Sequence, residues 1–201
     1  MARTDVQLML GVKAGDEASF ELLLAKYRTP LIHFLGRMVR DPAMAEDLAQ
    51  EVFLRVYRAR KGYKPSAKFT TWLFRIATNL ALNAVRDERH RRRDVSIEQP
   101  GEGAPGQSEA DAQPLEVPDR RPGIVEQMLD ADRAARIRRA ILALPEKQRA
   151  AVLMHKYHEM DYDQIAEALE CSESALKSLL FRAYEALRVD LAPLVGGQAK
   201  P

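Results

Sequence analysis

Between positions 72 and 86 the chain reads WLFRIATNLALNAVR. Wound as a helix at about 100° per residue, this stretch puts Trp72, Arg75, Asn79, Asn83 and Arg86 on one narrow stripe. Leu73, Ile76, Ala77, Leu80, Ala81 and Ala84 form a broad apolar face opposite. A face that only meets water carries Lys and Glu more naturally. Arg and Asn are side chains that make paired hydrogen bonds to base edges, and an aromatic beside them can stack on an unpaired base or hold a duplex edge apart. The loop just before, KPSAKFTT, adds Lys64, Ser66, Lys68, an exposed-looking Phe69 and Thr70. Two cations and an aromatic could accept an extruded base. The run RDERHRRR that follows holds five arginines in eight residues, namely Arg86, Arg89, Arg91, Arg92 and Arg93. At a helix C-terminus they complement the macrodipole, and as a patch they hold phosphate in a salt-dependent way.

A second group lies near the C-terminus. In MDYDQIAEALECSESALKSLLFRAYEALR, a short helix over about 162–169 buries Ile165, Ala166 and Leu169. Asp161 and Gln164 resemble a capping box at its start, ECS is a turn, and Ser172 caps a last helix that buries Leu176, Leu179, Leu180, Ala183 and Leu187. Two short helices across such a turn make a helix-turn-helix. The second presents Glu173, Ser174, Lys177, Ser178, Phe181 and Arg182 outward. Lys177 and Arg182 suit phosphate, while the two serines permit a close approach to base edges. An ordinary helical hairpin with a solvated face would show the same pattern.

The third group is AEDLAQEVFLRVYRA. Leu48, Val52, Val56 and Ala59 line a core face, and the opposite stripe holds Asp47, Glu51, Arg55 and Arg58 around Leu54. An exposed leucine ringed by charge suits a small protein-docking patch, although lone surface leucines are common. Signals for catalysis are weak: the chain has no phosphate-binding glycine loop and no nucleophile elbow. His155, His158 and Cys171 lack the tight spacing of zinc ligands and read as packing or surface residues. No catalytic residue, metal or cofactor is expected.

The elements that must position these groups are helical. Glycine is scarce, at 10 of 201 residues, and 46% of residues are hydrophobic, enough for a packed core. Phe20, Leu23, Leu24, Tyr27 and Leu31 recur at i, i+3, i+4 spacing, with Phe34, Leu35 and Met38 extending the pattern. Asp41 and Pro42 read as the cap and first residue of a helix running to about 60, which Gly62 and Pro65 then break. Another helix spans about 131–143, and Pro145 opens the next as a first-turn proline.

Charge is segregated. Residues 1–93 carry 18 basic and 10 acidic side chains (+8), residues 94–130 carry 2 and 9 (−7), and residues 131–201 carry 11 and 10 (+1). The middle stretch, rich in Pro, Gly and acids, reads as a flexible acidic linker. The chain therefore reads as all-α: two small helical domains, 1–93 and 131–192, joined by linker 94–130, with the helix-turn-helix in the second and a frayed tail, 193–201. One cysteine excludes an internal disulfide and fits a reducing compartment. With no secretory-type N-terminus and no run of about 20 apolar residues, the expectation is a soluble cytoplasmic protein without membrane insertion.

Taken together, these motifs resemble a bacterial RNA polymerase sigma factor of the extracytoplasmic-function (ECF) group of the sigma-70 family. The likeness covers nearly the whole chain, in the family's order. DLAQEVFLRVYRA resembles the helix that docks on the clamp helices of the polymerase β′ subunit, which implies polymerase-binding roles for Asp47, Gln50, Glu51, Leu54, Arg55 and Arg58. FTTWLFRIATNLALNAVRDERHRRR resembles the segment that opens and reads the minus-ten promoter element. It implies minus-ten contacts from Lys64, Ser66, Lys68, Phe69, Thr70, Trp72, Arg75, Asn79, Asn83 and Arg86, and backbone contacts from Arg89, Arg91, Arg92 and Arg93. LPEKQRAAVLMHKYHEMDYDQIAEALECSESALKSLLFRAYEALR resembles the domain that reads the minus-thirty-five element, through Ser172, Glu173, Ser174, Lys177, Ser178, Phe181 and Arg182. The resemblance further implies core RNA polymerase (β′ clamp helices and β subunit), promoter DNA and an anti-sigma factor as partners, and no small-molecule substrate. It implies that the linker threads the polymerase channel. The chain departs from the family pattern at Leu179, usually Arg or another polar residue, at Phe181, often His, and at Glu173, which brings negative charge close to DNA.

Overall fold

Among the described residues, side-chain hydrogen bonds cap four of the helix starts. The computed structural model describes the backbone of residues 3–98 and 124–195, with side chains over 3–91 and 131–194. Helix α1, Asp5–Ala14, has no clear sequence signal. Thr4 and Gln7 close a reciprocal capping box at its start, with Gln7 N–H donating to Thr4 Oγ1 at 3.3 Å and Thr4 N–H to Gln7 Oε1 at 2.9 Å. It ends at Gly15, whose φ of 95° lies in the left-handed region that favours glycine. Asp16 then caps α2, Glu17–Met38, accepting from Ser19 N–H at 3.3 Å. A Cβ at Gly11 would stand 2.5 Å from Ser19 Oγ, so only glycine lets α1 and α2 approach so closely here. The expected Asp41–Pro42 start is present: Asp41 accepts from Ala43 and Met44 N–H, opening α3, Pro42–Ala59. A 3₁₀ turn, Arg60–Gly62, leads to α4, Phe69–Glu98.

The second half comprises α5 (Ile124–Ala143), α6 (Glu146–Tyr157), α7 (Tyr162–Ala168) and α8 (Glu173–Val195). Among the described residues no strand occurs, and the all-α reading holds. Helices α4 and α5 run into both ends of the stretch read as linker, covering 94–98 and 124–130; residues 99–123 of that stretch, and 196–201 of the tail, lie outside the described residues. Leu23, Leu31, Phe34, Leu35 and Met38 of α2 are fully buried against α1, α3 and α4. Leu153, Met154, Ile165 and Leu176 do the same work between α6, α7 and α8. The two helical groups also meet directly: α7 and α6 pack on α4, and α5 and α6 on α2.

Several local expectations change in the folded chain. Phe69 is 2% exposed, because it is the first residue of α4 and its ring sits 5.4 Å from Tyr27 and 6.1 Å from Trp72. Ala59 is exposed at the end of α3, and Ala45, Ala49 and Phe53 join Val52 and Val56 on its buried side. Pro145 is the N-cap of α6 and not its first residue. Asp161 does cap α7, but Gln164 donates to its carboxylate at 2.7 Å, so the side chains bond each other and no box forms with the backbone. Ser172 caps α8 as expected, accepting from Ala175 N–H at 3.2 Å. Leu179 and Leu187 are half-buried, while Leu176, Leu180 and Ala183 are buried.

Candidate nucleic-acid and docking interfaces

The polar stripe of α4 forms one wall of a cleft of about 500 Å³. Lys64, Ser66, Trp72 and Arg75 line it together with Arg58, Tyr63 and Thr71. Three cations and a half-buried indole therefore share one concave surface. Trp72 is held by Tyr63, tilted at 5.2 Å, and edge-on by Phe69 at 6.1 Å, so its ring is fixed rather than swinging in solvent. Phe69 thus supports the wall from beneath and does not face the cleft opening. Tyr63 was not expected here. It is 5% exposed, and Lys13 Nζ donates to its carbonyl at 2.8 Å, tying the loop to α1. Burial pushes its phenol up, with Asp5 adding to the effect. The hydroxyls of Tyr63 and Thr71 are buried with no hydrogen-bond partner among the described residues. Asn79, Asn83 and Arg86 continue the stripe, all exposed. Arg89 and Arg91 are exposed further along α4; the side chains of Arg92 and Arg93 lie outside the described residues. Thr70 is half-buried in the first turn, and Lys68 is exposed beside it.

The docking patch is larger than α3 alone indicates. A groove of about 540 Å³ runs between α2 and α3. Gln50 and Leu54, both expected, line it with Phe53 and Tyr57; Phe20, Leu24 and Ile32 supply the α2 wall. Phe20 meets Phe53 edge-on at 6.4 Å and Tyr57 at a tilt at 5.1 Å, and these rings form the aromatic floor of the groove. Glu17, Glu21 and Glu46 rim it. Leu54 is 48% exposed, high for a leucine beside so much apolar surface. Asp47 is exposed beside the groove. Glu51 and Arg55 form an ion pair at 2.8 Å, and that hydrogen bond holds the Glu51 carboxyl below the usual carboxylate range. Arg58, expected with this patch, lines the α4 cleft instead. The α2 wall was missed because Phe20 and Leu24 read as ordinary core positions; nothing local in α2 shows that α3 leaves them half covered.

The candidate recognition helix α8 stays open. Ser172, Glu173, Ser174, Lys177, Ser178, Phe181 and Arg182 are all exposed, Phe181 to 68%. Glu173 and Lys177 pair at 2.7 Å, and this hydrogen bond raises the Lys177 ammonium above its ordinary value. Ser178 Oγ donates to the Ser174 carbonyl at 3.1 Å. His155 hydrogen-bonds the Tyr184 hydroxyl at 2.7 Å, and His158 packs between Phe34 and Phe74, at 5.7 and 4.3 Å. Both histidines thus have packing roles. Cys171 is half-buried at the turn between α7 and α8. Among the described residues no helix is long and apolar enough to cross a membrane.

Comparison with known proteins agrees with this arrangement. The family model for sigma-70 region 2 matches residues 23–91, and that for sigma-70 region 4 matches residues 134–187. Over 193 residues the chain is 33% identical to the RNA polymerase sigma-H factor of Pseudomonas aeruginosa, covering 95% of each chain. It is 29% identical over 195 residues to the ECF RNA polymerase sigma-E factor of Escherichia coli, covering 96% of each. Two solved structures share its fold. The sigma factor RpoE in complex with the anti-sigma factor NepR, from Bartonella quintana, aligns with a TM-score of 0.63 at 18% identity, over 86% of this chain and 96% of that one. CnrH in complex with the cytosolic domain of CnrY aligns with a TM-score of 0.62 at 19% identity, over 96% and 97%. With the α4 cleft inside the region 2 match and the helix-turn-helix inside the region 4 match, this chain belongs to the sigma-70 family, as an RNA polymerase sigma factor of the ECF group that directs core polymerase to promoters.

Proposed function

We propose a division of labour among the three surfaces. The α4 cleft takes the minus-ten element and helps melt it; α8 reads the minus-thirty-five element; the α2–α3 groove docks the chain on core RNA polymerase, at the clamp helices of β′. The observation that carries the minus-ten assignment is the cleft itself: Arg58, Lys64 and Arg75 surround the fixed indole of Trp72. Extruding a base costs a few kcal/mol. Stacking on the indole and cationic contacts to the adjoining phosphates offset that cost. Lys68, Arg86 and the arginines from Arg89 to Arg93 follow the backbone downstream of this point.

The groove reading rests on Leu54 and the aromatic floor beneath it. An acidic rim around an apolar floor suits a partner helix with a basic border. Residues 1–93 act as the melting and docking domain and 131–192 as the upstream-reading domain. The intervening acidic stretch passes through the polymerase's nucleic-acid channel, where its charge resembles that of its later occupant. The chain performs no catalysis of its own; polymerase does the chemistry, in the cytoplasm. Regulation comes from an anti-sigma factor acting in trans, the kind of partner that the similar sigma factor RpoE holds in its solved complex.

The test is reconstitution. Mixed with core polymerase and a promoter library, the chain directs initiation at defined positions. Leu54→Glu abolishes stoichiometric complex formation while leaving thermal stability intact, since Leu54 is already half in water. A chain that binds promoter fragments but never forms a polymerase complex acts as a stand-alone regulator instead.

A further inference from the structure

Among the described residues, no α1 side chain lines the α4 cleft or the α2–α3 groove. Two of its residues nevertheless reach the cleft wall from behind. At the C-terminal end of α1, Lys13 Nζ donates to the Tyr63 carbonyl at 2.8 Å. The Tyr63 ring in turn lies 5.2 Å from the indole of Trp72. At the N-terminal end, Asp5 accepts from the Tyr27 hydroxyl at 2.5 Å and from Lys26 Nζ at 2.6 Å. The Tyr27 ring packs on Phe69 at 5.4 Å, and Phe69 meets Trp72 edge-on at 6.1 Å. One chain of contacts through Tyr63 and another through Tyr27 and Phe69 thus converge on a single indole. Helix α1 is itself well seated. Leu8, Met9 and Val12 are buried, and Arg3, just before the helix, donates to Asp16 and Ser19 at 3.1 and 3.0 Å. The loop from 63 to 68 has little backbone bonding of its own: Tyr63 N–H meets the Arg60 carbonyl at its start, and Ser66 N–H meets the Lys64 carbonyl within it. Its shape therefore leans on the Lys13 contact.

We propose that Lys13 and Asp5 are positioning residues for the minus-ten cleft: through them α1 braces Trp72, and the loop beside it, in the geometry that receives an unpaired base. This rests on the reading of the cleft as a DNA site. Any freedom left in the indole must be given up when a base stacks on it, so a ring fixed beforehand binds the base at lower entropic cost. Hydrogen bonds from an ammonium are stronger than those between neutral groups. The single Lys13 contact therefore orders the loop more than one further neutral backbone bond would. The second tie acts through packing: the Asp5 carboxylate holds the Tyr27 hydroxyl, which fixes the ring on which Phe69 rests.

The experiment uses the full-length chain, whose only tryptophan is Trp72, so that intrinsic fluorescence reports on the cleft wall alone. Lys13→Met keeps the aliphatic stem and removes the donor. Tyr27→Phe keeps the ring on Phe69 and cuts its bond to Asp5. One readout is acrylamide quenching of Trp72 in the free chain. The other two use reconstituted holoenzyme: permanganate reactivity of unpaired promoter thymines, and affinity for core polymerase. The chain carrying both substitutions is expected to show a quenching constant raised about twofold and an open-complex yield lowered about fivefold, the scale of one lost hydrogen bond, with polymerase affinity unchanged. Lys13→Arg, which keeps a charged donor, stays near the wild type in both. Unchanged quenching in the double variant overturns the brace and leaves the DNA assignment of the cleft standing. Raised quenching with melting at the wild-type level overturns the brace together with the cleft reading. Equal losses of melting and polymerase affinity, or a Lys13→Arg chain as impaired as Lys13→Met, assign these contacts to folding and overturn the proposal.

Discussion

Helices α4 and α8 each display a polar stripe suited to DNA, yet they meet the rest of the molecule in opposite ways. On α8 the charges are settled locally: Lys177 pairs with Glu173 one turn away, and the whole reading face is in water. On α4 two cations are settled from afar, Arg75 by Glu170 and Arg89 by Glu146, while Arg86 meets Asp87 beside it; in the loop before α4, Lys68 takes Asp161. Local pairing costs the recognition helix little and leaves it ready for duplex DNA. Distant pairing makes access to α4 depend on how the two domains sit. The contrast fits the two tasks. Reading an upstream duplex needs only an open face, whereas a surface that captures unpaired bases is best exposed when polymerase is present to use them.

The comparison is sharpened first by Leu54→Glu, which removes neither stripe but takes away the surface proposed to bring the chain to polymerase. Its expected cost is at least about 2 kcal/mol, or thirtyfold, in polymerase affinity, read by fluorescence titration against labelled core enzyme. Both stripes then become idle in transcription although each still binds DNA fragments.

Next in size is a pH effect at the contact between the domains. Burial lowers the His158 imidazole to about 4, with Arg37 and His33 acting in the same direction. Above pH 6.5 the ring is neutral whether the domains are apart or together, so the contact is at full strength. As pH falls from 6.5 toward 4 the separated form takes up a proton that the packed form refuses, and the packed form loses stability. After allowance for partial exposure the loss is about 2 kcal/mol. The distance between spin labels on Ala43→Cys and Ala186→Cys, in a chain carrying Cys171→Ser, checks it when measured across this window, and His158→Gln flattens the response. The exposed face of α8 has no such dependence.

Smaller effects belong to α8. Lys177→Ala and Arg182→Ala each weaken binding to an upstream promoter duplex a few-fold and reduce the salt slope by about one unit, as followed by anisotropy at several salt concentrations. Smaller still, and opposite in sign, Glu173→Gln frees Lys177 from its ion pair and removes a negative charge facing DNA. It strengthens the same binding about two- to threefold. If Glu173→Gln weakens binding, the pair is a positioning device and α8 is less self-contained than its geometry implies.

The parts of this account legible in the sequence are those decided within a turn or two of helix. Asp41 before Pro42 and Ser172 before Glu173 were readable as caps because a cap is a local hydrogen bond. The outward stripes of α4 and α8 were readable because helical periodicity alone fixes which side chains share a face. What depended on another element was not. Phe69 sits among lysines and threonines, and only the approach of Tyr27 from α2 makes it core. Phe74 gave no signal of its role, because the His158 ring that covers it comes from α6's C-terminal end. Half of the docking groove was hidden for the same reason: Phe20 and Leu24 keep core spacing, and their partial exposure is set by where α3 ends up. Arg58 lines the α4 cleft and not the docking groove, a placement that depends on where α4 packs against α3.

The most direct test of the α4 assignment is promoter melting by reconstituted holoenzyme, followed as permanganate reactivity of unpaired thymines. With Trp72→Ala or Asn79→Ala the account predicts unchanged polymerase binding and an open-complex yield reduced about tenfold or more, the loss of one stacking or paired base contact. Melting at the wild-type level in both variants would contradict it, as would equal loss of melting and polymerase binding, which would assign these side chains to folding instead.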